Sequence, residues 1–456
     1  MTGIADPTFF FSYRNRGDVP FWGTIRSNPR IVHWFRMQIA IIGSGITGIT
    51  TAYELSSDGH RVTVFDRNAV VAAESSFASA GLISPGCVSP AAAPGLRRWL
   101  MRGLFSHASA LRWRPNLNRH QWGWLMKWWR ACESGQTDDM RAMIGLAMLS
   151  RERLAGITEH ERLDYERSEG VLLLLRSSRE FAATHRHQQL LLELGVDAQE
   201  LTPERCREVE PGLGERARLA GGLLLADDGV GNCRQFAQLL RDLTAARFGT
   251  EFRLNTEVRS IDTRQGRPRL QIERTGQDTR EETFDAVVIC GGASAMPLLR
   301  SVGLMLPLLP VYGYSVTFRL RPESEAPRSA IVDARSGVAI TRLGDRVRVT
   351  GGFEIGSDRR PFDRERALAP LYRALHRWYP YAADRSQPQI WKGPRPMLPH
   401  GPPVIGPAPA GGVWLNLGHG AHGWSLACGS ARLIADQIVG REPTLDPAPF
   451  SIRPWL

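Results

Sequence analysis

Lysine is almost missing from this chain. Of 57 basic residues only Lys127 and Lys392 are lysines, and the rest are arginines. So lopsided a ratio reflects genome composition as much as binding chemistry. The net charge of +11 is therefore no argument by itself for a nucleic-acid partner. Cysteine is scarce too. Cys87, Cys132, Cys206, Cys233, Cys290 and Cys428 stand far apart, with no CxxC, CxxCH or finger spacing. That pattern offers no zinc site and no covalent haem, so no metal ligands are assigned. Without a disulfide framework, a reducing compartment is expected. No apolar run approaches the ~18 residues of a membrane span, and the start lacks a secretory pattern, so the expected location is cytoplasmic. No 20–50-residue repeat is visible, which excludes a solenoid or propeller.

What charge there is sits locally. Residues 1–36 carry five arginines against two aspartates. Ser89–Cys132 carries seven arginines and Lys127 with no acid. These two segments account for the whole +11, so a uniformly basic, nucleic-acid-coating surface is not expected. With 456 residues, the chain is long enough for two or three domains and a large core.

Residues 1–36 read as a disordered extension, either a flexible arm or the product of an upstream start codon. The second reading is preferred, because Met37 opens abruptly onto a strand. From there Ile39–Ile42, Ile46–Ser57 and Arg61–Phe65 alternate strand, helix, strand, which implies a parallel sheet covered by helices. Asn232 caps an expected helix over 232–248. Strands are expected at Phe252–Leu254, Asp285–Cys290 and Val413–Leu417, with a final helix from about Trp424 to Val439. Alternating runs in 311–353 suit an antiparallel sheet. The fold class is α/β: a Rossmann-type nucleotide-binding domain in three pieces (37–88, 229–300, 388–456), interleaved with an α+β substrate domain in two (89–228, 301–387).

Gly43-Ser44-Gly45-Ile46-Thr47-Gly48 follows the first strand and opens the helix. Gly43 permits the tight turn, Gly45 lets backbone N–H groups approach a pyrophosphate, and Gly48 allows close helix–strand packing. Asp66 ends the second strand, where its carboxylate can accept ribose hydroxyls, which disfavours a 2′-phosphate. The fingerprint alone does not separate NAD from FAD.

Past the fingerprint, the chain resembles the flavin-carrying small subunit of bacterial D-amino acid dehydrogenases, within the D-amino acid oxidase and glycine oxidase family. The resemblance runs from Met37 onward. It rests on Glu74-Ser-Ser76, Ala80-Gly81-Leu-Ile-Ser-Pro-Gly86, Gly221-Gly-Leu, Gly313-Tyr-Ser315, Ala339-Ile-Thr-Arg342, Arg395-Pro-Met and Trp414-Leu-Asn-Leu-Gly-His-Gly420. It implies FAD as cofactor and oxidative deamination of a D-amino acid to a 2-oxo acid and ammonia, with hydride passing from Cα to flavin N5. It further implies an acceptor other than oxygen, such as a respiratory quinone. By the same resemblance Arg67, Ser75, Ser76 and Val258 join the cofactor site, and Gly418 and Gly420 form the loop at the flavin pyrimidine edge. Arg395 holds the substrate carboxylate, which suits a guanidinium fork. Tyr312 and Tyr314 either line the pocket or pack in the sheet. His419 and His422 are either a base or, preferably, pocket-lining residues. Rival readings are an oxidase of the glycine, sarcosine or proline type, and a nucleotide-binding or membrane-attachment protein without turnover.

The chain departs from the family pattern at Ser79, Tyr312, Ala334-Arg-Ser-Gly337, Pro394, Leu398 and His400. The small Ser336-Gly337 pair is expected to open room for a bulky or cyclic substrate. Residues 96–130 hold six of the 13 tryptophans. Interleaved Arg and Trp suit a peripheral contact with the inner membrane. A helix pair with buried Trp and surface Arg is the preferred alternative.

Overall fold

The computed structural model describes residues 36–92, 97, 111–113, 118–133, 137–274, 278–321, 325–356 and 363–455. Except for Arg36, the expected N-terminal extension lies outside these residues, as does much of the Trp-rich segment.

A six-stranded sheet runs in the order Val404–Pro407, Val413–Leu417, Ala286–Ile289, Gln38–Ile42, Arg61–Phe65, Glu251–Arg253. All pairings are parallel except the one at the Val404–Pro407 edge. The central strand is apolar on both faces because both are covered. Ile39 and Ile41 pack with Ala52, Leu55, Leu426 and Leu433 of two helices, Ile46–Ser57 and Gly423–Ile438. Ala40 and Ile42 face the other way, toward Val258, Ile261, Leu270 and Ile272. Those residues belong to a three-stranded antiparallel meander of Thr256–Asp262, Arg269–Arg274 and Arg280–Thr283. The second face is thus covered by a small sheet, where helices were expected. The expected strands and the helix at Cys233–Phe248 are found within a residue or two, and the Asn232 side chain caps that helix by accepting from Gln235 N at 3.3 Å.

A ten-stranded, mostly antiparallel sheet forms the rest. Its long strands are Leu309–Leu320, Arg346–Ile355 and Ala383–Met397, and Leu309–Leu320 lies between the other two. The helix Arg364–Trp378 covers one face, burying Leu368, Leu371 and Leu375 against Val316, Phe318 and Val349. The boundary expected at 387/388 falls inside the strand Ala383–Met397. Leu82–Ile83, expected in the first piece of the nucleotide-binding domain, is the edge strand of this larger sheet. The reason is physical: long antiparallel strands reach from the substrate side to the cofactor side without a break.

Three helices are locked together by charge as well as packing. Glu54 is fully buried and accepts two bonds from Arg153, at 2.6 and 2.9 Å, and one from Arg432 at 2.8 Å. Arg432 also meets Asp58 at 2.6 Å and Asp436 at 2.9 Å. The network joins Ile46–Ser57, Thr137–Glu161 and Gly423–Ile438. Without the Glu54 charge, Arg432 would keep Asp58 and Asp436, and Arg153 is partly exposed, so the loss is that of charge-assisted hydrogen bonds. Glu54→Gln should cost about 1–3 kcal/mol, seen as a lower denaturant midpoint with an unchanged slope.

Candidate functional site

A cavity of about 500 Å³ opens at the carboxyl ends of the parallel strands. Its wall includes Gly43, Gly45, Ile46, Thr47, Asp66, Arg67, Ser75, Ser76, Val258, Gly418, His419 and Gly420. The central strand Gln38–Ile42 has Arg61–Phe65 on one side and Ala286–Ile289 on the other. This is the switch point at which open α/β sheets bind their ligands.

The glycines have three distinct jobs. Gly43 takes φ +109°, and a Cβ there would lie 2.6 Å from the Cys290 carbonyl oxygen. A Cβ on Gly48 would lie 1.9 Å from the Gly43 carbonyl oxygen. Gly48 therefore shapes the turn and does not line the cavity. A Cβ on Gly45 would meet only Ser76 Oγ, at 3.6 Å, and would otherwise project into open space. Ser44 is fully buried and acts on the turn from behind. Its N–H and Oγ–H both donate to Asp66 Oδ2 at 2.7 Å. Asp66 Oδ1 accepts from Asn68 N at 2.8 Å and Nδ2 at 3.0 Å. A carboxylate has about four lone-pair directions, and all are engaged. Asp66 lines the cavity, yet its work here is to hold the turn, and a ribose hydroxyl would have to displace one of these donors.

These features fit a dinucleotide. The helix Ile46–Ser57 has no side-chain cap, so its first N–H groups are left for an anion, apart from Ile46 N, which donates to Ser76 Oγ at 3.0 Å. The helix Gly423–Ile438 also lacks a side-chain cap, and Gly423 lies in the cavity wall. Its positive end meets the far end of the cavity. Asn416, missed by the sequence reading, lines the wall with Oδ1 buried and unpartnered, while its Nδ2 donates to Thr51 Oγ1 at 3.0 Å. Its only sequence signal was its place inside the Trp414–Gly420 motif.

A second cavity, of about 210 Å³, shares Gly418, His419 and Gly420 with the first. Arg395 is in neither wall, but the next two residues of its strand are: Pro396 lines the first cavity and Met397 the second. Its Nη1–H donates to the Gly352 carbonyl at 2.7 Å. No carboxylate lies within ion-pair distance among the described residues, and burial lowers the guanidinium pKa to about 10, so it stays cationic at neutral pH. Gly313 makes room for it, since a Cβ there would lie 2.3 Å from Arg395 Nη2. His419 is buried, with Nε2 3.1 Å from Ser430 Oγ. Burial lowers the pKa of His419 and of His422 to about 4, with Arg395 contributing at His422. Both imidazoles are thus neutral at pH 7 and are weak bases, consistent with lining the site.

The structure does not bring Tyr312 and Tyr314 to Arg395. In the pairing of the two strands, Val311 faces Arg395 and Gly313 faces Gly393, so alternation sends Tyr312 and Tyr314 to the opposite face. Tyr314 is buried against the covering helix and donates its hydroxyl to Glu354, and Tyr312 carries Lys392 Nζ 4.3 Å above its ring. The turn 334–337 lines neither cavity, so Ser336 and Gly337 open no space there. Arg348 is a residue the sequence did not single out. It is buried with no carboxylate partner among the described residues, and donates to Thr317 Oγ1 and the Ser79 carbonyl, both at 3.0 Å. Nothing in the sequence distinguishes it from the other arginines.

The glycines separate cofactor binding from folding. Gly45→Ala should lower FAD affinity at least tenfold while the apoprotein melts within about 2 °C of wild type. Gly48→Ala should lower apoprotein stability by about 2 kcal/mol or more, because backbone must move. Flavin absorbance and thermal melts of the apoproteins check both.

Comparison with known proteins agrees with this geometry. The FAD dependent oxidoreductase family (DAO) matches residues 38–437. The D-amino acid dehydrogenase of Cereibacter sphaeroides is 39% identical over 427 residues, covering 92% of this chain and 96% of that protein. The D-amino acid dehydrogenase of Rhodopseudomonas palustris is 38% identical, covering 91% and 97%. Among solved structures, glycine oxidase from Geobacillus kaustophilus superposes with a TM-score of 0.71 at 24% identity, covering 91% of this chain and 98% of that one. The L-proline dehydrogenase from P. horikoshii gives 0.69 at 17% identity, covering 91% and 96%. The family match spans nearly the whole described fold and the curated relatives cover more than nine-tenths of the chain, so this chain is an enzyme of the FAD dependent oxidoreductase family (DAO).

Proposed function

We propose that the protein oxidises D-amino acids to imino acids, which water hydrolyses to 2-oxo acids and ammonia. The observation that carries this reading is Arg395: a guanidinium with no carboxylate partner among the described residues, held by the Gly352 carbonyl and followed in its strand by Pro396 of the cofactor-cavity wall. A substrate carboxylate supplies the missing partner, and the planar fork orients it. Bound flavin supplies the hydride acceptor. The protein's own residues position and desolvate. Gly313 lets the guanidinium lie against the sheet, the neutral His419 and His422 add no competing charge, and Met397 and Leu398 help to exclude water. An electron acceptor other than oxygen is supported by the dehydrogenase names of the curated relatives, and a quinone-type acceptor is part of the proposal.

A peripheral membrane contact forms part of the proposal. The helix Arg119–Ala131 buries Trp124 and Trp128 but exposes Trp122 and Met126, with Arg119, Lys127 and Arg130 also on the outside. Apolar groups among cations suit an anionic bilayer surface. No helix among the described residues is long and apolar enough to cross a membrane.

Anaerobic mixing with D-, L- and N-methyl amino acids tests the reaction. D-isomers should bleach the flavin, and an artificial dye should reoxidise it faster than oxygen does. Bleaching by L- or N-methyl amino acids alone would overturn the assignment, and fast peroxide release would indicate an oxidase. Arg395→Ala should lower kcat/KM at least 100-fold, and Gly313→Ala should raise KM at least tenfold, both with flavin content unchanged. The wild type should sediment with anionic but not zwitterionic vesicles, and Trp122→Ser should weaken that at least threefold.

A further inference from the structure

We infer that the second cavity receives the substrate side chain and selects large apolar ones, of the size of leucine, methionine or phenylalanine. This rests on the D-amino acid reading and names the substrate class within it. The cavity lies beside the carboxylate anchor. Arg395, Val311 and Ile355 form one cross-strand row on a shared face, and Met397 follows two residues along the same strand. Ile355 and Met397 line the cavity. So does Phe353, next to the Gly352 carbonyl that holds Arg395. The loop Gly418–Gly420 separates the cavity from the cofactor site and belongs to both walls. A carboxylate on Arg395 therefore leaves the rest of a small amino acid at the mouth of this space.

The wall chemistry sets the class. Its large apolar side chains include Trp124, Trp128, Phe353, Ile355, Met397 and Leu398. The indole N–H groups are already used: Trp124 Nε1 donates to the Met397 carbonyl at 3.0 Å, and Trp128 Nε1 to the Ala91 carbonyl at 2.8 Å. The two rings lie parallel, within 8° of each other, with centroids 6.5 Å apart. The ionisable side chains in the wall are His419 and His422. A charged side chain would find no counter-charge there, and a hydroxyl few partners. A volume of about 210 Å³ exceeds the roughly 150 Å³ of an apolar cavity known to take benzene, which is room enough for a phenyl group. A methyl group would leave most of it empty.

The holoenzyme provides the test. The ratio kcat/KM should be at least tenfold higher for D-leucine and D-phenylalanine than for D-alanine, and at least tenfold lower for D-glutamate and D-lysine. Benzoate, which has no reactive hydrogen, should perturb the flavin absorption band at a concentration at least tenfold below that needed for acetate. D-alanine turned over as well as D-phenylalanine, or D-glutamate as well as D-alanine, overturns the selectivity and leaves deamination intact. If benzoate binds as expected but no D-amino acid bleaches the flavin, the apolar pocket stands and the deamination reading falls. Benzoate no tighter than acetate sinks the pocket itself. Ala421→Trp, at the rim, should lower the D-phenylalanine to D-alanine ratio at least tenfold with the flavin spectrum retained. An unchanged ratio counts against the assignment.

Discussion

The space where residue 48 would carry a β-carbon is occupied by the carbonyl oxygen of Gly43. That single close approach fixes the angle at which the helix Ile46–Ser57 leaves the central strand. The helix start then faces the cavity, with its N–H groups uncapped. Its far end carries Glu54, whose two arginines belong to the helices Thr137–Glu161 and Gly423–Ile438. The latter helix begins in the cavity wall. Both ends of the cofactor cradle are therefore positioned by one turn and one buried carboxylate. The interior glycine Gly429 repeats the device at a distance, since a Cβ there would lie 2.7 Å from the Leu146 carbonyl.

Local signals were legible and non-local ones were not. The glycine fingerprint, the Asn232 cap and the strand Val413–Leu417 each depend on a few adjacent residues, and each stands where the sequence put it. The small meander over 256–283 was not anticipated, because its strands alternate Arg and Glu with apolar residues and resemble a charged loop. Its inward residues Val258, Ile261, Leu270 and Ile272 become meaningful only against Ala40 and Ile42. For Tyr312 and Tyr314 the sequence left pocket lining and sheet packing open, for a different reason. Strand parity decides which face a residue takes, and parity is set by the pairing Val311 to Arg395, which is 84 positions away in the chain.

The tryptophan-rich helix shows how one element can serve two surfaces. Its inner side gives Trp124 and Trp128 to the apolar cavity, with their polar edges tied to backbone carbonyls. Its outer side gives Trp122 and Met126 to solvent among cations. Membrane contact and buried packing were alternatives in the sequence. In the folded chain the buried and the exposed aromatics occupy opposite sides of 13 residues. A membrane contact, as proposed, would lie one helix diameter from the apolar cavity.

The two lysines bear on a hazard of the proposed chemistry. Imines and 2-oxo acids condense with primary amines. Lys392 lies over the Tyr312 ring, on the face of the sheet opposite Arg395, and Lys127 is on the exposed side of its helix. Neither lines a cavity wall. In the proposed chemistry an arginine would hold the carboxylate, and its guanidinium forms no Schiff base under these conditions. A 2-oxo acid product would then leave past two cavity walls that hold no lysine ε-amine to trap it.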